Sequence, residues 1–219
     1  ILSIGMEPKT RIYGMMNLAP GWCALYQKKP QVTYTEGKGE NPVDLSTHDV
    51  KLDGCYIVDL SNISRKVENN GHKFTLIEGM GYDWKSIQLG EPTDHVADAT
   101  NINGDRIEYT LPKIEQDSIS VILYTVPVFP IYSGRSTNIG ISIDNMKPEV
   151  FCNKFKEYDN SWKDQVVRNG AVSKITFNID KTKPSHTISF ICGDPGMMIE
   201  KVVINWGGLK KSYISPCSH

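Results

Sequence analysis

Short β-favouring runs, each closed off by a tight corner, most restrict the folds open to this chain. Nine runs of four to nine residues are rich in Val, Ile, Thr and Tyr: Cys55–Leu60, Lys73–Glu78, Arg106–Leu111, Ser118–Val126, Asn138–Ile143, Glu149–Cys152, Ser173–Ile179, His186–Cys192 and Met198–Asn205. Between them fall Asn69-Asn70-Gly71, Asn103-Gly104-Asp105, Ser133-Gly134, Asp144-Asn145, Lys183-Pro184-Ser185 and the Gly193–Gly196 corner. These residue types tolerate or pre-set turn backbone. Runs so short, so regularly interrupted, predict an all-β sandwich. Only Ser161–Asn169 predicts a helix, with Trp162, Gln165 and Val166 on one side and Arg168-Asn169-Gly170 as its stop.

The last hairpin shows how the layers close. In MMIEKVVINW, strict alternation places Met198, Glu200, Val202 and Ile204 on one face and Met197, Ile199, Lys201, Val203 and Asn205 on the other. Neither face is cleanly polar, so the strand is expected to be central and covered on much of both sides. Gly193-Asp194-Pro195-Gly196 supplies its corner, and the paired methionines read as adaptable core filler. Trp206, before Gly207-Gly208, is expected to cover the end of the sheet.

A chain of 219 residues suits one good-sized domain with a short appendage. Residues 28–50 are polar and rich in Gly and Pro, so residues 1–50 are expected to form an N-terminal extended arm or linker from a preceding domain, and 51–219 the sandwich. A formal net charge of −1 gives no electrostatic reason to expect nucleic acid or an anionic membrane. No apolar stretch approaches the roughly 20 residues of a membrane span. The sequence opens on Ile1 without a basic leader and apolar core, so a fragment or processed product is expected. Five cysteines (Cys23, Cys55, Cys152, Cys192, Cys217) are odd in number and form no CxxC, which reads as buried thiols and leaves the compartment open.

Catalytic motifs are absent. There is no GxSxG, and His48, His72, His95, His186 and His219 show no HxxxH spacing. His186, at a strand start after Lys183-Pro184-Ser185, reads as a structural cap. Glycoside hydrolysis needs two carboxylates flanking one sugar, about 5 to 9.5 Å apart. Glu78, Asp83 and Asp144 lie at turns and read as solvated acids. Sugar binding instead needs an aromatic ring to stack on the pyranose C–H face and planar polar groups to read hydroxyls. The candidates are Tyr82 and Trp84 with Asp83, Tyr132 with Arg135, and Trp162 with Asn169. Trp162, on the short helix, reads as core before site, whereas Tyr82 and Trp84 read equally as either.

Five segments, in order, carry a family resemblance: RIYGMMNLAPGWCALYQKKP, SRKVENNGHKFTLIEGMGYDWKSIQL, VILYTVPVFPIYSGRSTNIGISIDNMKPEV, SWKDQVVRNGAVSKITFNI and GDPGMMIEKVVINWGGLKKSYISP. Their Gly-x-Gly turn at Gly79–Gly81, Pro-x-x-Pro strand end, Ser-Ile-Asp strand and Asp-Pro-Gly corner resemble the C-terminal domain of glycoside hydrolase family 115, the xylan α-1,2-glucuronidases. The resemblance spans roughly residues 11 to 216. It implies a jelly-roll-like sandwich of the galactose-binding, carbohydrate-binding-module type.

The resemblance also implies a parent enzyme that removes 4-O-methylglucuronic acid from xylan and works outside the cytoplasm: secreted, periplasmic or at the cell surface. The family's catalytic residues belong to preceding domains, so no catalytic residue is carried onto this chain. The expected role is a non-catalytic accessory domain that supports the catalytic part by packing or dimerisation and binds glucuronoxylan weakly. The alternatives are a stand-alone carbohydrate-binding module, a polysaccharide-active enzyme, or a structural surface domain. Related sandwiches hold calcium with an acid-Ala-acid strand where this chain has Asp59-Leu60-Ser61, and Phe74 stands where the family generally has Trp. No metal or other cofactor is therefore expected, with calcium the one open option.

Overall fold

The computed structural model describes residues 50–52, 54–128, 130, 132, 134–152, 160–168 and 170–209. The arm expected over residues 1–50 lies, apart from Val50, outside the described residues, as do Cys23, His48, Asn169, Cys217 and His219. Twelve strands and one helix appear among the described residues: β1 Val50–Leu52, β2 Cys55–Val58, β3 Arg65–Val67, β4 Phe74–Glu78, β5 Lys85–Leu89, β6 Arg106–Leu111, β7 Ser118–Thr125, β8 Asn138–Ile143, β9 Glu149–Cys152, α1 Asn160–Arg168, β10 Ala171–Asn178, β11 His186–Cys192 and β12 Met197–Asn205.

They form two antiparallel sheets. The smaller runs β3-β6-β11-β8-β9. The larger is organised on β12, which pairs with β5 along its first residues and β2 along its last, both on one side, and with β7 on the other. Outside these lie β4, β1 and β10. The chain repeatedly switches sheets, as in a jelly roll. The core fills the space between the layers: Ile87, Leu123, Ile199 and Val202 of the larger sheet meet Ile107, Ile141, Ile188 and Phe190 of the smaller. Tyr109 sits in this core edge-on to Phe190 and satisfies its hydroxyl on the Leu60 carbonyl at 3.1 Å.

The alternation expected of β12 breaks in mid-strand. Its register against β7 slips between Ile199 and Lys201, the mark of a β-bulge. The core therefore takes Met197 and Ile199 from one parity, then Val202 and Ile204 from the other. The methionine pair divides accordingly: Met197 is core, and Met198 is only half-buried.

Three short strands escape the sequence pattern. β1 and β3 have three residues each, too few to show a period. β5, KSIQL, buries a polar residue, Ser86, whose hydroxyl donates to the Met80 carbonyl at 3.0 Å, so its apolar pattern is interrupted. The helix begins one residue before the expected position, and Val166, expected on its inner side, is 43% exposed. Cys55 and Cys192 are buried as expected, but Cys152 is exposed. Burial pushes the Cys192 thiol up to about 12. Trp206 packs partly buried against the core.

Loops press hard on the smaller sheet. A Cβ added at Gly140 of β8 would drive into the Ala99 carbonyl and come 3.0 Å from Ile191 Cβ. Because the obstacle is backbone, it cannot swing aside. Gly140→Ala is expected to cost roughly 2–3 kcal/mol through overpacking, read as a lower urea midpoint at unchanged slope.

Candidate functional site

Buried acids were expected to be solvated turn residues; several are instead the ties that hold the loops. Asp105, 1% exposed, accepts from Asn70 N at 2.9 Å, His72 N at 3.0 Å and His72 Nδ1 at 2.9 Å. Burial alone would raise its pKa, but these donors outweigh it and hold the carboxyl below the usual range. The other ring nitrogen of His72 meets the His95 carbonyl at 2.7 Å.

Asp144, expected in solvent, sits in the left-handed region at φ 52° with its carboxylate 10% exposed. It accepts from His186 Nδ1 at 2.8 Å, Thr187 N at 2.9 Å and Lys183 Nζ at 3.0 Å. Despite burial, these partners hold it low. His186 is thus fixed against an acid at the mouth of β11, as a cap would be. Asp194 accepts from Ser136 N at 3.1 Å and Asn138 N at 2.9 Å.

Tyr132 and Arg135 are brought together at the end of β5 that leads to Pro92. The guanidinium lies 4.5 Å from the Tyr132 ring centroid and donates to the carbonyls of Pro92 at 3.0 Å and Asp94 at 2.8 Å. Beside it, Pro92, Val128, Arg135, Asp194 and Met197 help line a cleft of about 120 Å³. Ligand pockets run to roughly 300–1,000 Å³, so this cleft is too small to enclose a sugar. Arg135 works here as a staple between two loops.

At the other end of β5, Tyr82, Asp83 and Trp84 occupy a turn folded over the outer face of the larger sheet. Gly79 N donates to the Trp84 carbonyl at 2.8 Å, closing the turn. Gly81 must be glycine: its φ is 92°, and a Cβ would lie 2.8 Å from the Lys85 carbonyl. Tyr82 meets Tyr124 of β7 edge-on at 5.4 Å, and its hydroxyl occupies the space a side chain at Gly170 would need. Asp83 pairs with Lys201 Nζ at 3.0 Å, and Lys201 is 1% exposed. Trp84 adopts φ 59° and leaves its side chain 74% exposed.

The bulge in β12 places Glu200 under this turn, its Cβ 3.4 Å from the position of a Cβ on Gly81. Glu200 is 3% exposed and its Oε2 has no hydrogen-bond partner. Desolvation pushes this carboxyl up to about 7. Burial and the Glu200 charge together raise the Tyr82 phenol. Sequence reasoning missed Glu200 and Lys201; the available signal was two adjacent charges inside an otherwise apolar strand. Trp162 is half-buried on α1, whose end meets the turn at Gly170. Asn169 lies outside the described residues.

The Asp59 position does not suit calcium. Its Oδ1 accepts from Ser61 N at 2.9 Å and Ser61 Oγ at 2.6 Å, with Lys85 Nζ 3.6 Å away. A hard cation needs several oxygen donors free of competing cations, and here an ammonium stands in the way.

Two antiparallel layers, with acids tied into the framework and an aromatic surface turn, define a β-sandwich domain. Residues 50–218 match the Glycosyl hydrolase family 115 C-terminal domain, and the chain belongs to this family. Among solved structures, the chain is similar to BtGH115A, a family GH115 4-O-methyl-alpha-glucuronidase with specificity for decorated arabinogalactans. The identity is 23% and the TM-score 0.51, covering 67% of this chain and 18% of that one. This chain therefore spans under a fifth of that enzyme's length.

Weaker likenesses are to an exo-beta-1,3-galactanase from Phanerochaete chrysosporium (11% identity, TM-score 0.46, 70% of this chain and 30% of that one) and a family 35 carbohydrate binding module from Clostridium thermocellum (10%, 0.45, 69% and 97%). No curated protein matches the chain. Among the described residues no helix is long and apolar enough to cross a membrane.

Two outcomes follow from this geometry. The folded Glu200 carboxyl binds its proton more tightly than the unfolded one at 4.5, so its ionisation costs stability progressively as pH rises from about 4.5 to about 7. Glu200→Gln removes that decline: relative to wild type, the variant should gain on the order of 2 kcal/mol between pH 4.5 and pH 8, measured by urea titration at both. Chelation with EDTA should leave the thermal midpoint unchanged, since Lys85 and Ser61 already engage Asp59; a drop on chelation, restored by calcium, would place an ion there.

Proposed function

We propose that this chain is a non-catalytic accessory domain of a family-115 α-glucuronidase that acts outside the cytoplasm on glucuronic-acid-bearing plant polysaccharide such as glucuronoxylan. It supports the catalytic part by packing on it or by joining two copies, and it holds polysaccharide weakly. One observation carries the non-catalytic reading. The cleft beside Arg135 is lined by a single acid, Asp194, and both of its oxygens accept backbone N–H groups of the loop it anchors. Hydrolysis of a glycosidic bond needs a second carboxylate across the sugar and one of the two available for proton transfer. Glu200 has the raised pKa of a general acid, but it is sealed beneath the Gly79–Trp84 turn, away from that cleft.

The experiment is turnover of 4-O-methylglucuronoxylan by the purified 219-residue chain, with a family-115 glucuronidase as positive control. No release of 4-O-methylglucuronic acid is expected from the chain at any pH between 4 and 9. Sustained release that scales with chain concentration and is lost in Glu200→Gln would overturn the reading and make the buried carboxyl catalytic.

A further inference from the structure

We infer that the outer face of the larger sheet along β7 and β10, beside the Gly79–Trp84 turn, is the surface on which this domain holds an acidic polysaccharide chain. The inference rests on the accessory reading above and names where, and through what chemistry, the polysaccharide binds.

β7 and β10 pair over their full length, from Ala171↔Thr125 to Asn178↔Ser118. Their inner side joins the core through Ile119, Val121, Leu123 and Phe177. The outer side of β10 leaves Val172, Lys174, Thr176 and Asn178 exposed, and β7 adds exposed Ser118 with half-buried Ser120 and Tyr124. Next to it, the outer face over β2, β7 and β12 is closed, because Cys55, Ile57, Ile122 and Val203 form a second buried cluster. So the open strip is bounded. Val172 to Asn178 covers about 20 Å at the usual rise of a strand, the length of several linked sugar rings.

The strip's chemistry suits such a chain. The register sets Asn178 opposite Ser118 and Thr176 opposite Ser120; the last two hydroxyls bond each other at 3.3 Å, and each keeps further capacity to accept from a sugar hydroxyl. Neither strand contains Asp or Glu, and Lys174 supplies a positive charge. Of the carboxylates flanking the strip, Asp83 is paired with Lys201 at 3.0 Å, Asp117 with Lys181 at 2.9 Å, and Asp180 accepts from Thr182 N and Oγ1 at 3.0 and 2.6 Å. A chain with formal net charge −1 thus presents, on this strip, a neutral-to-positive surface complementary to uronic acid groups.

The aromatic component is held in place before any ligand arrives. Trp84 is 74% exposed at φ 59°, a backbone region that costs a non-glycine residue free energy. The Asp83–Lys201 pair and the Tyr82–Tyr124 contact clamp that turn to the sheet. A large apolar ring kept in water by a strained, anchored turn has the preorganisation that a stacking platform requires.

The test uses the full chain and its Trp84→Ala and Lys174→Glu variants, each checked for an unchanged thermal midpoint. Affinity electrophoresis in gels cast with 4-O-methylglucuronoxylan, and with the same xylan after its uronic acids are reduced, reads the affinity. Wild type is expected to bind the acidic polymer more tightly than the reduced one. Trp84→Ala should weaken both by about tenfold. Lys174→Glu should abolish the preference for the acidic polymer. Wild-type binding left intact in both variants overturns this inference while leaving the accessory reading standing. No retardation of wild type by either polymer also overturns it. So does sedimentation as a dimer that Trp84→Ala dissociates, which would make the strip a protein interface.

Discussion

The structure depends on how β12 accommodates two adjacent charges in the middle of the larger sheet. β12 is the strand on which β2, β5 and β7 all pair, so no residue in it is far from cover. Burying a lone ammonium is expensive unless a counter-ion comes with it. Lys201 receives one because the β4–β5 turn folds back over the outer face and delivers Asp83 at 3.0 Å. Glu200 receives none, and the molecule meets the cost differently, by raising the carboxyl's proton affinity so that it stays neutral over part of the physiological range. The bulge between Ile199 and Lys201 makes both solutions compatible with a continuous core, since it returns Val202 and Ile204 to the inner face after the charged pair. The position of the turn, and with it of Tyr82 and Trp84, is thus a consequence of charge burial in the central strand.

At the ends of the sandwich the same physics uses carboxylates to stop loops from moving. Asp105, Asp144 and Asp194 each gather donors from segments far apart in sequence, and each is thereby kept from acting on anything else. The His186–Asp144 pair resembles half of a catalytic relay when viewed alone. Its burial and its third partner Lys183 give it a different meaning: a hairpin corner in left-handed backbone, fixed from below by the start of β11. Fold and site must be argued separately, and in this domain most of the titratable groups that sequence reading would nominate belong to the fold.

Much of the architecture was legible in the sequence because burial on one face leaves a period of two. Arg106–Leu111 and His186–Cys192 were found at their observed ends, since each is long enough to show its pattern. What was not legible has local causes. Three-residue strands carry no period, Ser86 hides the pattern of β5, and the bulge at Glu200 reverses the parity of β12 in mid-strand. The candidate site divides the same way. Tyr132 and Arg135 were paired by proximity in sequence and do meet, but as a staple. Tyr82, Asp83 and Trp84 were singled out as a group, whereas their anchor, Lys201, lies far along the chain, and nothing in its own strand points to the turn.

Sugar-facing surfaces on a sandwich have two sources of rigidity: loops tied at the ends, or sheet faces held by the strands themselves. Here the loop ends have spent their polar groups on one another, and the cleft they leave is about 120 Å³. The β7–β10 face keeps Ser118, Thr176 and Asn178 exposed on a ladder that cannot collapse without breaking the sheet. A broad, shallow surface of this kind offers many weak contacts and encloses nothing, so it suits retention of a polymer close to an enzyme and cannot exclude water from a reacting bond. Under the reading proposed above, a division of labour follows from that difference: a sheet face retains polymer, and the chemistry is left to the catalytic part.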